Sequence, residues 1–183
     1  MNPPLPDADV QAMERMRNDD ADALNEIMQR WSSRISSFLT RHTGSRDTAM
    51  DLSQELFVIV WRSRAKYRPT SAFSSWLFGI AANLARQHHR WRKRHPWRDN
   101  ASLPEESSDQ TPGDDLLQRE RSTAVRKAIQ ALPLPLREVV LLSEYEGLRH
   151  REIADSLHCS PKAVETRLAR AKTKLRQALQ RWM

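Results

Sequence analysis

The sequence predicts an all-α protein: two small helical domains joined by a flexible acidic linker, the C-terminal one a helix-turn-helix. Three observations predict it. Apolar residues recur every three or four positions in both halves of the chain and almost nowhere alternate as they would in a strand. Charge then reverses sign near the middle, over a stretch rich in Pro, Ser and acid. Finally, a short helical pattern, a three-residue break and a long basic helical pattern close the chain.

In the first half Leu24, Ile27, Trp31, Ile35 and Phe38 form one helical stripe. Leu52, Leu56, Ile59 and Val60 form a second, and Trp76, Leu77, Ile80 and Leu84 a third. Each stripe needs a partner to cover it, so three amphipathic helices packed on one another are expected within a domain at 10–95. From Arg86 to Arg98 every ionisable group is Arg, Lys or His, with Trp91 and Trp97 interleaved. Asp99, Glu105, Glu106, Asp109, Asp114 and Asp115 follow, among Pro104, Pro112, Gly113 and serines. Such a segment buries too little apolar area to offset its ordering entropy, so 96–116 is expected to be a flexible linker.

The second domain is expected at 117–183. A helical pattern runs from Leu116 to Leu132, Pro133 and Pro135 interrupt it, and Leu136 to Tyr145 resume before Gly147. Arg149 to Leu157 and Pro161 to Trp182 follow, separated by His158, Cys159 and Ser160, which is the layout of a helix-turn-helix. Ser160 is a good N-cap and Pro161 sits at the first helical position, where proline is tolerated. Small Ala154, beside Ile153 and Leu157, permits close approach of the two helices.

Composition narrows the function. The chain has 183 residues, 39% hydrophobic and 29% charged, and no apolar run near the roughly 20 residues of a membrane span. The N-terminus lacks the basic start and apolar stretch of a signal peptide, and the lone Cys159 cannot form an intrachain disulfide, so a cytoplasmic protein without membrane insertion is expected. Four glycines leave no Gly-rich phosphate loop or dinucleotide fingerprint, which excludes most nucleotide-dependent enzymes. His88, His89, His95, His158 and Cys159 lack metal-site spacing, so no metal and no cofactor are expected. A net charge of +7 points to a polyanionic partner.

The last helix is the first candidate surface. At about 100° per residue Val164, Leu168, Ala171 and Leu175 share one face. Lys162, Thr166, Ala169, Arg170 and Thr173 occupy the opposite one, flanked by Glu165 and Arg167. In a DNA major groove Arg170 can fork onto guanine and Glu165 can accept from a cytosine amine, while Lys162 and Arg167 hold phosphates. The second candidate is the third helix of the first domain with the loop before it. Asn83, Arg86, Gln87, Arg90 and Arg94 make a cationic track with polar base-readers, preceded by Tyr67 and Arg68. Rings and cations together suit single-stranded DNA. The third is an oddity: Asp47, Asp51 and Glu55 stand at i, i+4 and i+8, where like charges repel and folding gains nothing.

These blocks resemble a known family. LPLPLREVVLLSEYEGLRHREIADSLHCSPKAVETRLARAKTKLRQAL is similar to the fourth conserved region of bacterial sigma factors, and DTAMDLSQELFVIVW with KYRPTSAFSSWLFGIAANLARQHHRWRKR to the second. With only these two regions and a short acidic linker, the chain resembles the extracytoplasmic-function (ECF) subfamily. The resemblance implies a transcription initiation factor, not an enzyme, that binds core RNA polymerase through the beta-prime clamp helices and the beta flap. It implies Asp51, Gln54, Glu55 and Phe57 as clamp contacts. It implies recognition of duplex promoter DNA at the minus-thirty-five element by the last helix. At the minus-ten element it implies capture of a flipped base in single-stranded DNA by the loop and third helix, and it implies an anti-sigma factor as regulatory partner. Two other classes fit the residues alone: a dimeric stand-alone helix-turn-helix regulator, and a basic nuclease that uses the acidic triplet to hold a divalent ion.

Overall fold

The computed structural model describes residues 8–95 and 116–182, and every regular element within them is helical. The stretch expected to be a linker therefore falls outside the described residues, apart from Leu116, where a helix begins.

Helix α1 (Ala8–Arg17) was not anticipated by the periodicity of the first half. It buries Ala12, Met13 and Met16 against α2 (Ala21–Thr43) and is fastened by a buried carboxylate. Asp9 accepts from Trp31 Nε1 at 3.0 Å and from Arg30 Nε at 2.8 Å. Asp20 caps α2 by accepting from the amides of Asp22 and Ala23, and Gly44, at φ 81°, ends it in the left-handed conformation that a residue without Cβ adopts freely. Helix α3 (Arg46–Ser63) starts at Ser45, whose hydroxyl accepts from Thr48 N at 3.2 Å. Helix α4 (Phe73–Arg94) completes the first half.

The three expected stripes are the packed ones. Ile27, Ile35, Phe38, Leu56, Val60 and Leu77 are essentially inaccessible, and Phe78 sits edge-on to Trp31 and Phe38, at ring separations of 6.1 and 5.3 Å. Such rings contribute burial together with favourable edge-to-face geometry.

The second half comprises α5 (Leu116–Ala131), α6 (Leu134–Val140), a π turn (Leu141–Tyr145), α7 (His150–Leu157), α8 (Pro161–Ala178) and a last 3-10 turn (Gln180–Trp182). Pro133 precedes α6 and interrupts the helical run as expected, but Pro135 sits inside the first turn of α6, which begins at Leu134 rather than at the expected Leu136, because a proline there forfeits no intrahelical hydrogen bond. The π turn carries α6 on by one wider turn, closed by Glu146 N donating to Leu141 O at 3.2 Å. His158 ends α7 at φ 51°, and Ser160 caps α8 by accepting from Ala163 N at 3.1 Å. Ile153, Ala154, Val164, Leu168 and Ala171 are buried where α6, α7 and α8 meet, which is the expected helix-turn-helix.

The two halves pack on each other. Helix α7 packs against α4, while α5 and the π turn meet α2. At the α4–α7 crossing stands Gly79, where a Cβ would come within 3.0 Å of Ser156 O. A glycine inside a helix costs roughly 1 kcal/mol relative to alanine. Here it allows a backbone approach that even a methyl side chain would crowd.

Candidate nucleic-acid and partner interfaces

Helix α8 turns its polar face outward as its periodicity requires. Lys162, Glu165, Thr166, Ala169, Arg170 and Thr173 are exposed, opposite the buried Val164, Leu168 and Ala171. Arg167 sits partly covered on the flank, its Nη1 donating to Cys159 Sγ at 3.7 Å. Lys162 Nζ donates to Glu165 Oε2 at 2.9 Å, and this bond holds the Glu165 carboxyl below its usual range. An exposed pair of this kind is screened by water and contributes little, so a base or phosphate can displace it. Thr166 and Thr173 bond back to Lys162 O and Ala169 O, which fixes their rotamers on the outer face.

Of the α4 candidates, Asn83, Gln87, Arg90 and Arg94 are exposed, at steps of four, three and four. They form one narrow stripe. Arg86 lies about 60° around the helix from Asn83. It was expected to share the track, but its Nη1 donates to Glu138 Oε1 of α6 at 3.1 Å. Its guanidinium therefore faces the second half of the protein. Trp91, 38% exposed, stacks on His95 at 5.0 Å and 25° and lies near His88 at 6.2 Å, so the basic end of α4 presents a ring surface.

The loop residues need correction. Tyr67, expected as a stacking platform, is 7% exposed, its ring packed against Trp76 at 4.8 Å and Phe73 at 6.1 Å. Aromatic burial outweighs display there, and Tyr67 shapes the loop from beneath. Arg68 is exposed, with Nη1 bonded back to Tyr67 O at 2.9 Å.

Helix α3 displays Asp47, Asp51, Gln54 and Glu55 at the surface. Asp51, Gln54 and Glu55 make no hydrogen bond or ion pair among the described residues. Phe57, expected among the contacts, is instead 6% exposed, because it falls beside Leu56 and Val60 on the packed side. The pattern overlooked Met50 and Val58, which are 56% and 47% exposed on this same face. Their signal was available: two large apolar residues off the buried stripe and four positions either side of Gln54.

A further surface had no counterpart in the sequence reading. Val125, Val140, Leu175, Leu179 and Trp182 line an apolar groove of about 470 Å³ in the second half, rimmed by Arg121, Lys172, Arg176 and Glu144. Among the described residues, no group of three or more His, Cys, Asp or Glu side chains is placed to hold a metal ion. No described helix is long and apolar enough to cross a membrane.

Comparison with known proteins places the chain in one lineage. The family profile for sigma-70 region 2 matches residues 27–95, and that for sigma-70 region 4 matches 122–175. The chain is 30% identical over 183 residues to the RNA polymerase sigma-H factor of Pseudomonas aeruginosa, covering 94% of each chain. It is 30% identical to the ECF RNA polymerase sigma-E factor of Haemophilus influenzae, covering 94% of this chain and 95% of that one. Its fold matches the structure of CnrH in complex with the cytosolic domain of CnrY, with a TM-score of 0.73 and 25% identity, covering 95% of this chain and 98% of that one. Both blocks in one chain, in this order, disfavour the stand-alone regulator. The chain belongs to the sigma-70 family, in its ECF group: it is a transcription initiation factor that binds core RNA polymerase and directs it to promoters.

Proposed function

We propose that four surfaces of the chain divide the work of initiation. The α3 face of Asp51, Gln54 and Glu55, extended by Met50 and Val58, docks on the beta-prime clamp helices. The outer face of α8 reads the minus-thirty-five duplex: Arg170 and Glu165 at base edges, Lys162 and Arg167 at phosphates, and Thr166, Ala169 and Thr173 between them. The α4 stripe of Asn83, Gln87 and Arg90, with Arg68 at its loop end, takes the minus-ten strand once it is unpaired, and Arg86 joins it when released from Glu138. The groove between α5 and α8 takes an apolar segment of the beta flap, its basic rim selecting an acidic flank. The protein itself catalyses no reaction, and acts inside the cell where the polymerase is.

The observation that carries this reading is the chemistry of the α3 face. Asp47, Asp51 and Glu55, with the apolar Met50 and Val58, are left in water by a chain of net charge +7 whose two DNA-facing surfaces are basic. An acidic, partly apolar face suits a basic protein surface and is repelled by DNA. CnrH was solved bound to the cytosolic domain of CnrY, and a sigma factor from Bartonella quintana bound to an anti-sigma factor. Likeness to these supports an anti-sigma protein as regulator of this chain. Nuclease footprinting of the chain with core polymerase on selected promoter fragments tests the division of labour. Protection of both elements, with the upstream one lost on truncation before α5, is expected; protection of a single palindromic site without polymerase would refute it.

A further inference from the structure

Helix α4 carries no Asp or Glu along its 22 residues. Near its end Arg90, Lys93 and Arg94 are exposed around Trp91, which is itself 38% exposed in a helix that buries Phe73, Leu77, Phe78 and Leu84. Trp91 stands about 80° around the helix from Asn83 and about 40° from Gln87, so it borders the polar stripe. It lies outside the apolar core that the rest of α4 helps to build. The ring is also braced. The His95 imidazole stacks on it at 5.0 Å and 25°, and His95 Nδ1 donates to Trp91 O at 3.0 Å, which fixes the imidazole in place. His88, one turn earlier, lies 6.2 Å from the indole at 31°. A ring held in this way loses little freedom when another ring joins it.

Phosphates are satisfied by cations alone and gain nothing from an indole. A nucleobase does gain, because its face stacks on a ring, and each such stack is worth roughly five- to a hundredfold in affinity. Inside a duplex that face is covered by neighbouring bases at about 3.4 Å. It is offered only where the strand is unpaired or where a duplex ends.

Resting on the reading of the α4 stripe given above, we propose that Trp91 is a base-stacking position for the unpaired minus-ten strand. Gln87, one turn earlier, meets the edge of that base, and Arg90 and Arg94 hold the phosphates beside it. Trp91 is eight residues beyond Asn83, about 12 Å along the helix axis. At about 3.4 Å per stacked nucleotide, the base on Trp91 is at most about four nucleotides from the one at Asn83, on the side away from the loop. The chain thus grips the strand at two points, and the second binds only opened DNA. The basic end of α4 thereby favours melting as well as attracting the duplex.

Abasic substitution in holoenzyme tests this, on promoter fragments first mapped by run-off transcription. An abasic site is placed at each position of the minus-ten region in turn, in one strand and then in the other. Open-complex affinity is measured with wild type, Trp91→Ala, Trp91→Phe and Asn83→Ala. With wild type, removing the base at one position of the captured strand, within about four nucleotides of the position coupled to Asn83, is expected to cost at least fivefold. Trp91→Ala should lose a similar factor on the intact promoter and nothing more when that base is removed, whereas Trp91→Phe keeps most of the effect. Losses from Trp91→Ala that multiply with those of the abasic sites at every position, or coupling to the opposite strand, would overturn the proposal. Coupling at Asn83 without coupling at Trp91 removes Trp91 from the site and leaves the reading of α4 standing; coupling at neither residue refutes both.

Discussion

Reversing the charge of Asp51 and Glu55 separates docking from folding. Both carboxylates are exposed and make no bond among the described residues. In the wild type two like-charged pairs stand at i, i+4, Asp47 with Asp51 and Asp51 with Glu55, each costing about 0.2–0.5 kcal/mol. In Asp51→Lys/Glu55→Lys the first pair becomes attractive and the second stays repulsive, so the helix gains roughly 0.5–1 kcal/mol. In a chain of this length that raises the melting temperature by about 1–4 °C. Binding moves the other way. A charge meeting an opposite charge at 4 Å is worth about 1 kcal/mol in water and about 4 at an effective dielectric of 20. Taking roughly 1.5–2 kcal/mol for each reversed residue at a partly wet interface gives about 3–4 kcal/mol, or roughly 100- to 1,000-fold weaker affinity for core polymerase. Interferometry with immobilised core polymerase measures the affinity, and circular dichroism the melting. Wild-type affinity would refute the docking face, and a melting temperature lowered by more than about 5 °C would show that folding needs these acids.

Arg170→Ala should relax preference at one base pair of the upstream element at a cost of about 1–3 kcal/mol, whereas Lys162→Ala should weaken all sequences alike and flatten the salt dependence; competition binding over a randomised element reads both. Asn83→Ala should reduce permanganate reactivity of melted thymines in holoenzyme more than it reduces initial promoter affinity, with Arg90→Ala, an electrostatic control, weakening both. Burial holds the His89 imidazole below its usual range, helped by Lys93, Arg137, His42 and Arg92. Its neutral form is thus favoured in the fold, and stability present above about pH 6.5 is lost as the pH falls through the folded value. The melting temperature of wild type should therefore fall more steeply between pH 7.5 and 5.5 than that of His89→Gln; parallel curves would contradict this.

The helix-turn-helix was legible because its determinants are local. The Ser160 cap, Pro161 and a stripe every three or four residues specify α8 wherever it packs. Helix α1 escaped notice because only Val10, Met13 and Met16 mark its period, and what fastens it is Asp9 bonded to residues 21 and 22 positions away. Tyr67 and Phe57 were assigned outward on residue type and by resemblance, and tertiary packing turned them inward. The contact between halves was invisible for a related reason: Glu138 and His42 read as ordinary helix residues until the fold brings them 3.4 Å apart. One signal is present in the sequence. Gly79, in mid-helix with no turn to make, announces a close backbone approach.

The most direct measurement is run-off transcription by purified core RNA polymerase, with and without this chain, on a library of promoter-region fragments, with the 5′ ends of the RNA mapped. The chain should convert an enzyme that starts nowhere in particular into one that starts at a small set of sites sharing two upstream elements, and Asn83→Ala should lower their yield. RNA that starts at the same places with and without the chain would contradict the account.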